Sequence, residues 1–192
     1  MKPRFTLLVF LFILCASAAF GQLGFYDGYV VTNKNDTIFG KVGTSQKWNV
    51  IEYCILKKGD DNIKYYPNEI KRFGFIKGEC YVPDVLKDTI VQVLVEGKLS
   101  LYRYQSTLYV RKENDAVHKL ETYTEKVERN GELYYVESVK WKGILTYLTS
   151  DCNTDPNEIS KLHLLYPELA EFVVNYNKCT KSEYTEYKSK GK

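Results

Sequence analysis

The sequence predicts an α+β fold, a mostly antiparallel β sandwich or partly open barrel of about nine or ten strands followed by a C-terminal layer of about three helices. Three observations carry this expectation. From Phe25 to about Lys140, short apolar or alternating runs rich in Val, Ile, Tyr and Thr recur, with turn chemistry every 8 to 12 residues or so. After Lys140 the apolar period changes from 2 to 3.6. The chain has 192 residues, 44% hydrophobic and 15% aromatic, with 27 Lys+Arg against 24 Asp+Glu, so it has the composition of a folded globular protein rather than a disordered one.

Gly28 to Thr32 and Thr37 to Val42 flank the turn formers Asn33-Lys34-Asn35-Asp36 and read as an opening hairpin. Val50 to Leu56 and Ile63 to Tyr66 form a second, joined across Lys57-Lys58-Gly59-Asp60-Asp61-Asn62. Pro67 has no amide to donate and stops that strand, with one helical turn expected over 67–70 before Arg72 to Ile76 resumes. Lys77-Gly78 turns the chain into Cys80 to Val82. Thr89 to Val95 is apolar on both faces, which marks a central strand covered on both sides. Gly97 offers a positive-φ turn position before Leu99 to Tyr104, and Thr107 to Lys112, Val117 to Tyr123 and Leu133 to Val139 complete the set.

In the C-terminal part, Trp141, Ile144, Leu145 and Leu148 make one helical stripe, and Leu169, Phe172, Val173 and Tyr176 make another after Pro167. Between them Asp155-Pro156-Asn157-Glu158 supplies an N-cap, an N1 proline and an N3 glutamate for a middle helix with Ile159, Leu162 and Tyr166 on its apolar side. The tail from Thr180 is polar and without period, so it is expected to be flexible. The organisation is therefore a signal peptide over 1–21, a β-rich domain over 22–140, a helical layer packed on it over 141–179, and a tail over 180–192.

The signal peptide is read from basic Lys2 and Arg4, the apolar run from Phe5 to Leu14 and the small residues Ala16-Ser17-Ala18-Ala19. Ala19-Phe20-Gly21 sets the cut before Gln22, with Ala16-Ser17-Ala18 as a second option. The run is shorter than the ~20 residues of a membrane span, so no transmembrane helix is expected in the mature chain. Cys15 follows Leu14 rather than the small residue that lipidation signals need. Cleavage leaves 25 basic and 24 acidic groups, a near-neutral balance that argues against nucleic-acid binding. The expected location is exported, in the periplasm or associated with the outer membrane.

Cys54, Cys80, Cys152 and Cys179 remain, an even number in an oxidising compartment, which permits three pairings. Cys152 closes the first helix and Cys179 the last, so Cys152–Cys179 is the first expected bond and Cys54–Cys80 the second. A zinc site is the alternative, but these cysteines with His118 and His163 have no finger-like spacing, and no metal or cofactor is expected.

Several blocks together resemble a known exported domain of Bacteroidota, usually seen ahead of an outer-membrane β-barrel. They are Gly28-Tyr29-Val30-Val31-Thr32-Asn33 with Asp36-Thr37-Ile38 and Gly40, Tyr66-Pro67 with Glu69-Ile70, and Phe73-Gly74-Phe75. Later ones are Val95 to Tyr104, Gly143 to Leu148 with Asp151-Cys152, and Tyr176 to Cys179. The resemblance spans nearly the whole mature chain and implies fold and compartment, with no substrate attached. The departure is that the chain ends thirteen residues after Cys179, without such a barrel. Asp36-Thr37-Ile38 and Asp88-Thr89-Ile90 also resemble the Asp-Thr-apolar motif of O-glycosylation in exported Bacteroidota proteins; the alternative is a turn aspartate opening a β-branched strand.

For catalysis the sequence offers little. No Gly-x-Ser-x-Gly, His-Glu-x-x-His or phosphate-cradling glycine loop occurs, the two histidines stand apart, and Asp60-Asp61 lacks a spaced calcium loop. Asp151 beside Cys152 raises rather than lowers a thiol pKa, so an activated thiol is not expected there. The compositional outlier is tyrosine, with seventeen residues. Tyr102, Arg103, Tyr104, Tyr109 and Arg111 form the candidate binding set, against the alternative that they fill half-buried strand positions. The expected function is an envelope interaction or binding module, not an enzyme, docking on another envelope or outer-membrane protein. Alternatives are a glycan-binding module and a hydrolase built on paired carboxylates.

Overall fold

The computed structural model describes residues 24–152 and 155–187. The signal peptide and its cleavage site lie outside them. Ten strands pair in one continuous antiparallel path: β1 (Tyr26–Thr32), β2 (Thr37–Lys47), β3 (Val50–Lys58), β4 (Asp61–Tyr65), β5 (Ile70–Phe75), β6 (Cys80–Leu86), β7 (Thr89–Glu96), β8 (Leu99–Tyr104), β9 (Thr107–Lys112) and β10 (His118–Leu120). Their spatial order is β10-β9-β8-β7-β6-β5-β1-β2-β3-β4. The chain therefore runs as two meanders, joined where β5 crosses back from β4 to pair with the free side of β1. Although four strands separate β3 from β7 in the pairing order, the two lie against each other, so the sheet folds back on itself. Ile90 of β7 is buried among Val42, Cys54 and Leu56 at that fold.

β11 (Tyr123–Arg129) and β12 (Glu132–Ser138) form a separate two-stranded sheet, and three helices follow: α1 (Lys140–Leu148), α2 (Pro156–Lys161) and α3 (Tyr166–Cys179). The protein is thus mostly antiparallel β with three C-terminal helices, and thirteen strands exceed the nine or ten expected. The excess has physical causes. The expected strand Val117 to Tyr123 stops at Leu120, and a new strand starts at Tyr123 to pair only with β12. The tail expected to be loose instead contributes β13 (Thr185–Glu186), which pairs with β7. β6 starts opposite Val93, so the last residues of β7 have an open edge, and Thr185↔Glu96, Glu186↔Val95 and the Tyr187 N–H to the Leu94 carbonyl fill it. Residues 67–69 form a turn rather than a helical one, and β5 begins at Ile70.

The helices cover one face of β7–β10. Trp141, Leu145 and Leu148 of α1 and Leu169, Phe172 and Val173 of α3 bury Leu94, Leu99, Leu101, Val110 and Leu120. The stripes read for α1 and α3 face the sheet, with Ile144 partly buried, since a 3.6-residue period puts them on one side; the middle stripe is not on one helix, because the backbone turns extended at Leu162, the C-cap of α2, and Tyr166 opens α3. Asp155 caps α2 by accepting from the Asn157 N–H at 2.9 Å. The disulfide Cys152–Cys179 joins the segment after α1 to the end of α3.

The second expected disulfide does not exist, because Cys54 and Cys80 are both free and buried. Cys54 lies on β3 among Val30, Val42, Leu56 and Phe73, whereas Cys80 lies on β6 among Val82, Val91, Val93 and Tyr102. Three strands, β2, β1 and β5, stand between them. Burial pushes the Cys54 thiol up to about 12 and raises that of Cys80 as well, so both behave as small apolar core residues.

Candidate functional site

The five candidate binding residues sit on the β8–β9 hairpin, where strand alternation divides them. Register pairs Tyr102 with Tyr109, Ser100 with Arg111, and Arg103 with Leu108. Tyr102, Tyr104, Tyr109 and Arg111 therefore face one side and Arg103 the other. Tyr102 is only 4% exposed, packed on Val82 and Val93, and burial raises its phenol. Tyr104 and Tyr109 are half-buried against the same cluster. Tyr102 is thus a core ring, while Tyr104 and Tyr109 occupy the half-buried strand positions that tyrosine favours.

Two concave regions result. On the Tyr102 side, a groove of about 710 Å³ is floored by Val82, Val93 and Tyr102 and walled by Arg72, Glu96 and Arg111. Arg72 binds Glu96 through both guanidinium branches at 2.7 and 3.0 Å, and the Tyr187 hydroxyl donates to the same carboxylate at 2.9 Å. Burial pulls the Glu96 carboxyl up, but the Arg72 hydrogen bonds and charge outweigh it, and the net direction is down. Arg111 lies 5.6 Å over the Tyr102 ring and 3.9 Å from Asp84. Arg72 with Glu96, and Arg111 with Asp84, thus satisfy one another across this groove.

The other groove, about 580 Å³, opens between the tip of the β2–β3 hairpin and the end of the β8–β9 hairpin. Its floor is Gln92 of β7, cross-strand partner of Arg103. Arg103 donates to Gln92 Oε1 from Nε at 3.0 Å and Nη2 at 2.5 Å, while its guanidinium lies 5.9 Å from the Tyr166 ring of α3. Gln92 is 6% exposed, and its Nε2 has no hydrogen-bond partner among the described residues.

The third feature is the β11–β12 arm. Asn130 and Gly131, both at positive φ, make its two-residue turn between the paired Arg129 and Glu132. Leu133 (55%), Tyr135 (74%), Tyr134 and Val136 are exposed, and its base is tied down through Lys140 Nζ, 2.6 Å from Glu125 Oε1 and 5.2 Å from the Tyr123 ring. The sequence reading merged this arm into the main sheet. The Asn130-Gly131 dipeptide was the available signal, being the residue pair that a tight hairpin turn demands.

No protein-family model, curated protein or solved structure matches the chain.

The remaining candidates separate. His118 is on β10, and His163 precedes α3, where its N–H donates to Glu168 at 2.8 Å. Among the described residues no three His, Cys, Asp or Glu side chains are grouped to hold a metal ion, and no helix is long and apolar enough to cross a membrane. Asp151 accepts from Lys98 and Lys112, each at 2.9 Å, and from the Tyr176 hydroxyl at 2.8 Å, which gives it a structural task beside the disulfide. Thr37 is exposed at the start of β2, whereas Thr89 is half-buried and donates to the Lys87 carbonyl.

Proposed function

We propose that this protein is an exported cell-envelope module that docks on another envelope protein through its β11–β12 arm, and that it is a binding protein rather than an enzyme. The observation that carries the reading is the arm itself. A two-stranded hairpin is at best marginally stable in water, and this one exposes Leu133, Tyr134, Tyr135 and Val136 in addition to two unpaired strand edges. Such a surface is the kind that protein interfaces bury.

The partner's chemistry follows from the arm's charge. Glu125, Glu128, Glu132 and Glu137 outnumber Lys126 and Arg129, so two copies repel one another, while an apolar cleft rimmed by Lys and Arg on a different protein is complementary. The Cys152–Cys179 bond supports an oxidising, exported location, in line with the signal peptide and with the resemblance to exported Bacteroidota domains. Glu96 of the Arg72 groove is unsuited to the general-acid role in hydrolysis. Glu96 is held ionised by Arg72, whereas a glycosidase acid needs a raised pKa.

The test is capture of the tagged, exported protein from solubilised envelope beside a Leu133→Ser/Tyr135→Ser variant. One protein, retained by the wild type and lost from the variant, is the expected result. Equal recovery by both removes the arm from the docking surface, and a dimer of this chain alone removes the separate partner.

A further inference from the structure

We infer that the groove over Gln92 is a binding site for a neutral saccharide. It is built from other residues than the arm, and three observations converge on it.

The first is the orphaned amide. Arg103 is a pure donor and occupies Gln92 Oε1 twice, which fixes the orientation of the side-chain amide and leaves the buried Nε2 without an acceptor among the described residues. A buried donor without a partner is costly, and native proteins satisfy it with water or a ligand oxygen. Gln92 is 94% shielded from solvent, sits on the central strand and is held by a guanidinium, so it is a fixed donor rather than a mobile surface group.

The second is the character of the walls. Gln46, Asn49, Gln105 and Ser106 offer amides and a hydroxyl beside the apolar Ile51 and Ile90, and no carboxylate is among the lining residues. Amides and hydroxyls both donate and accept, which is the pattern that complements a ligand covered in hydroxyl groups. An anion is a poorer fit, because the one lining cation, Arg103, already commits Nε and Nη2 to Gln92. The groove's volume lies in the range of about 300–1,000 Å³ that small-ligand sites occupy.

The third is Trp48. It stands next to Asn49 in the two-residue turn between the paired Lys47 and Val50, 85% exposed, the most exposed large apolar side chain described. Trp48 and Asn49 both have φ in the left-handed region, +53° and +62°. Asn tolerates that region, but for a bulky residue it is strained, and glycine or asparagine is the ordinary occupant of such a turn. A strained backbone holding an indole in water one residue from the groove-lining Asn49 fits an aromatic platform for the apolar face of a sugar ring.

The experiment follows Trp48 emission and backbone amide shifts while maltotriose, cellotriose, mannotriose and N,N′-diacetylchitobiose are titrated, each to about 10 mM, a range that reaches millimolar affinities. The other tryptophan, Trp141, is 2% exposed, so a blue shift with loss of acrylamide quenching reports on Trp48. Binding of at least one saccharide is expected, with shifts confined to Gln46–Ile51, Gln92 and Arg103–Ser106. Trp48→Gly suits the turn's backbone, so it should keep or raise the unfolding temperature while weakening that saccharide at least about tenfold. Gln105→Ala, at a surface turn, serves as a second variant with the same expectation. No response to any of the four overturns the proposal. So does binding that Trp48→Gly and Gln105→Ala leave unchanged, or a crystal grown with saccharide in which Nε2 holds only an ordered water.

Discussion

Asn177 of α3 accepts from the Leu99 N–H at 2.9 Å and donates to the Leu99 carbonyl at 2.9 Å, so one buried side chain satisfies both backbone groups at the start of β8. It thereby acts as a missing strand partner and fixes α3 on the sheet. It also explains Gly97, whose φ is not positive as the sequence suggested: a Cβ there would lie 2.7 Å from Asn177 Nδ2. Asn177→Ala strands two buried backbone groups, and at about 1–3 kcal/mol for each such group it should cost about 2–4 kcal/mol in urea unfolding, partial relaxation included. A loss below about 0.5 kcal/mol contradicts the assigned role.

The disulfide closes a separation of 27 residues, for which chain entropy gives roughly 3–4 kcal/mol. A Cys152→Ser/Cys179→Ser variant should lose that amount. Peptide mapping without reduction should find Cys152–Cys179 and two free thiols, Cys54 and Cys80, that react with a thiol reagent only after denaturation. A Cys54–Cys80 cross-link would contradict the positions of β3 and β6.

The Asp151 cluster predicts an acid-sensitive component of stability. Burial raises the Asp151 carboxyl, but hydrogen bonds from Lys112, Lys98 and Tyr176 outweigh it and set it well below the usual range. A carboxyl depressed in the folded state contributes fully above its unfolded pKa of about 4 and loses that contribution as pH falls below it. The unfolding temperature should therefore decline from about pH 5 to pH 3, less steeply in Asp151→Asn. Identical profiles for the two proteins contradict the cluster's role.

Much of the local structure was legible in the sequence. β8 and β9 have the bounds that alternation indicated, and the stripes of α1 and α3 face the core, because both patterns depend only on near neighbours. What was illegible is non-local. Nothing near Cys54 or Cys80 shows that β5 crosses back to β1 and puts three strands between them. Nothing near Tyr102 shows that β6 covers it, or that Arg103 turns to Gln92. The β11–β12 arm alternates like any sheet strand, and only the absence of a covering face, a property of the rest of the chain, sets it apart.

That absence has an energetic consequence. Tyr135 is 74% exposed, so Tyr135→Ser should change folding stability by no more than about 0.5 kcal/mol in urea unfolding. A larger loss would mean the ring packs within the fold and is unfree to dock.

The most direct test of the docking account is a photo-crosslinking amino acid placed at Tyr135 in the exported protein in living cells, with the same group at Tyr147, 70% exposed on α1, as the control. The account predicts one discrete heteromeric adduct from position 135, absent from position 147 and lost when Leu133→Ser is added. No adduct from position 135, or the same adduct from both positions, contradicts it.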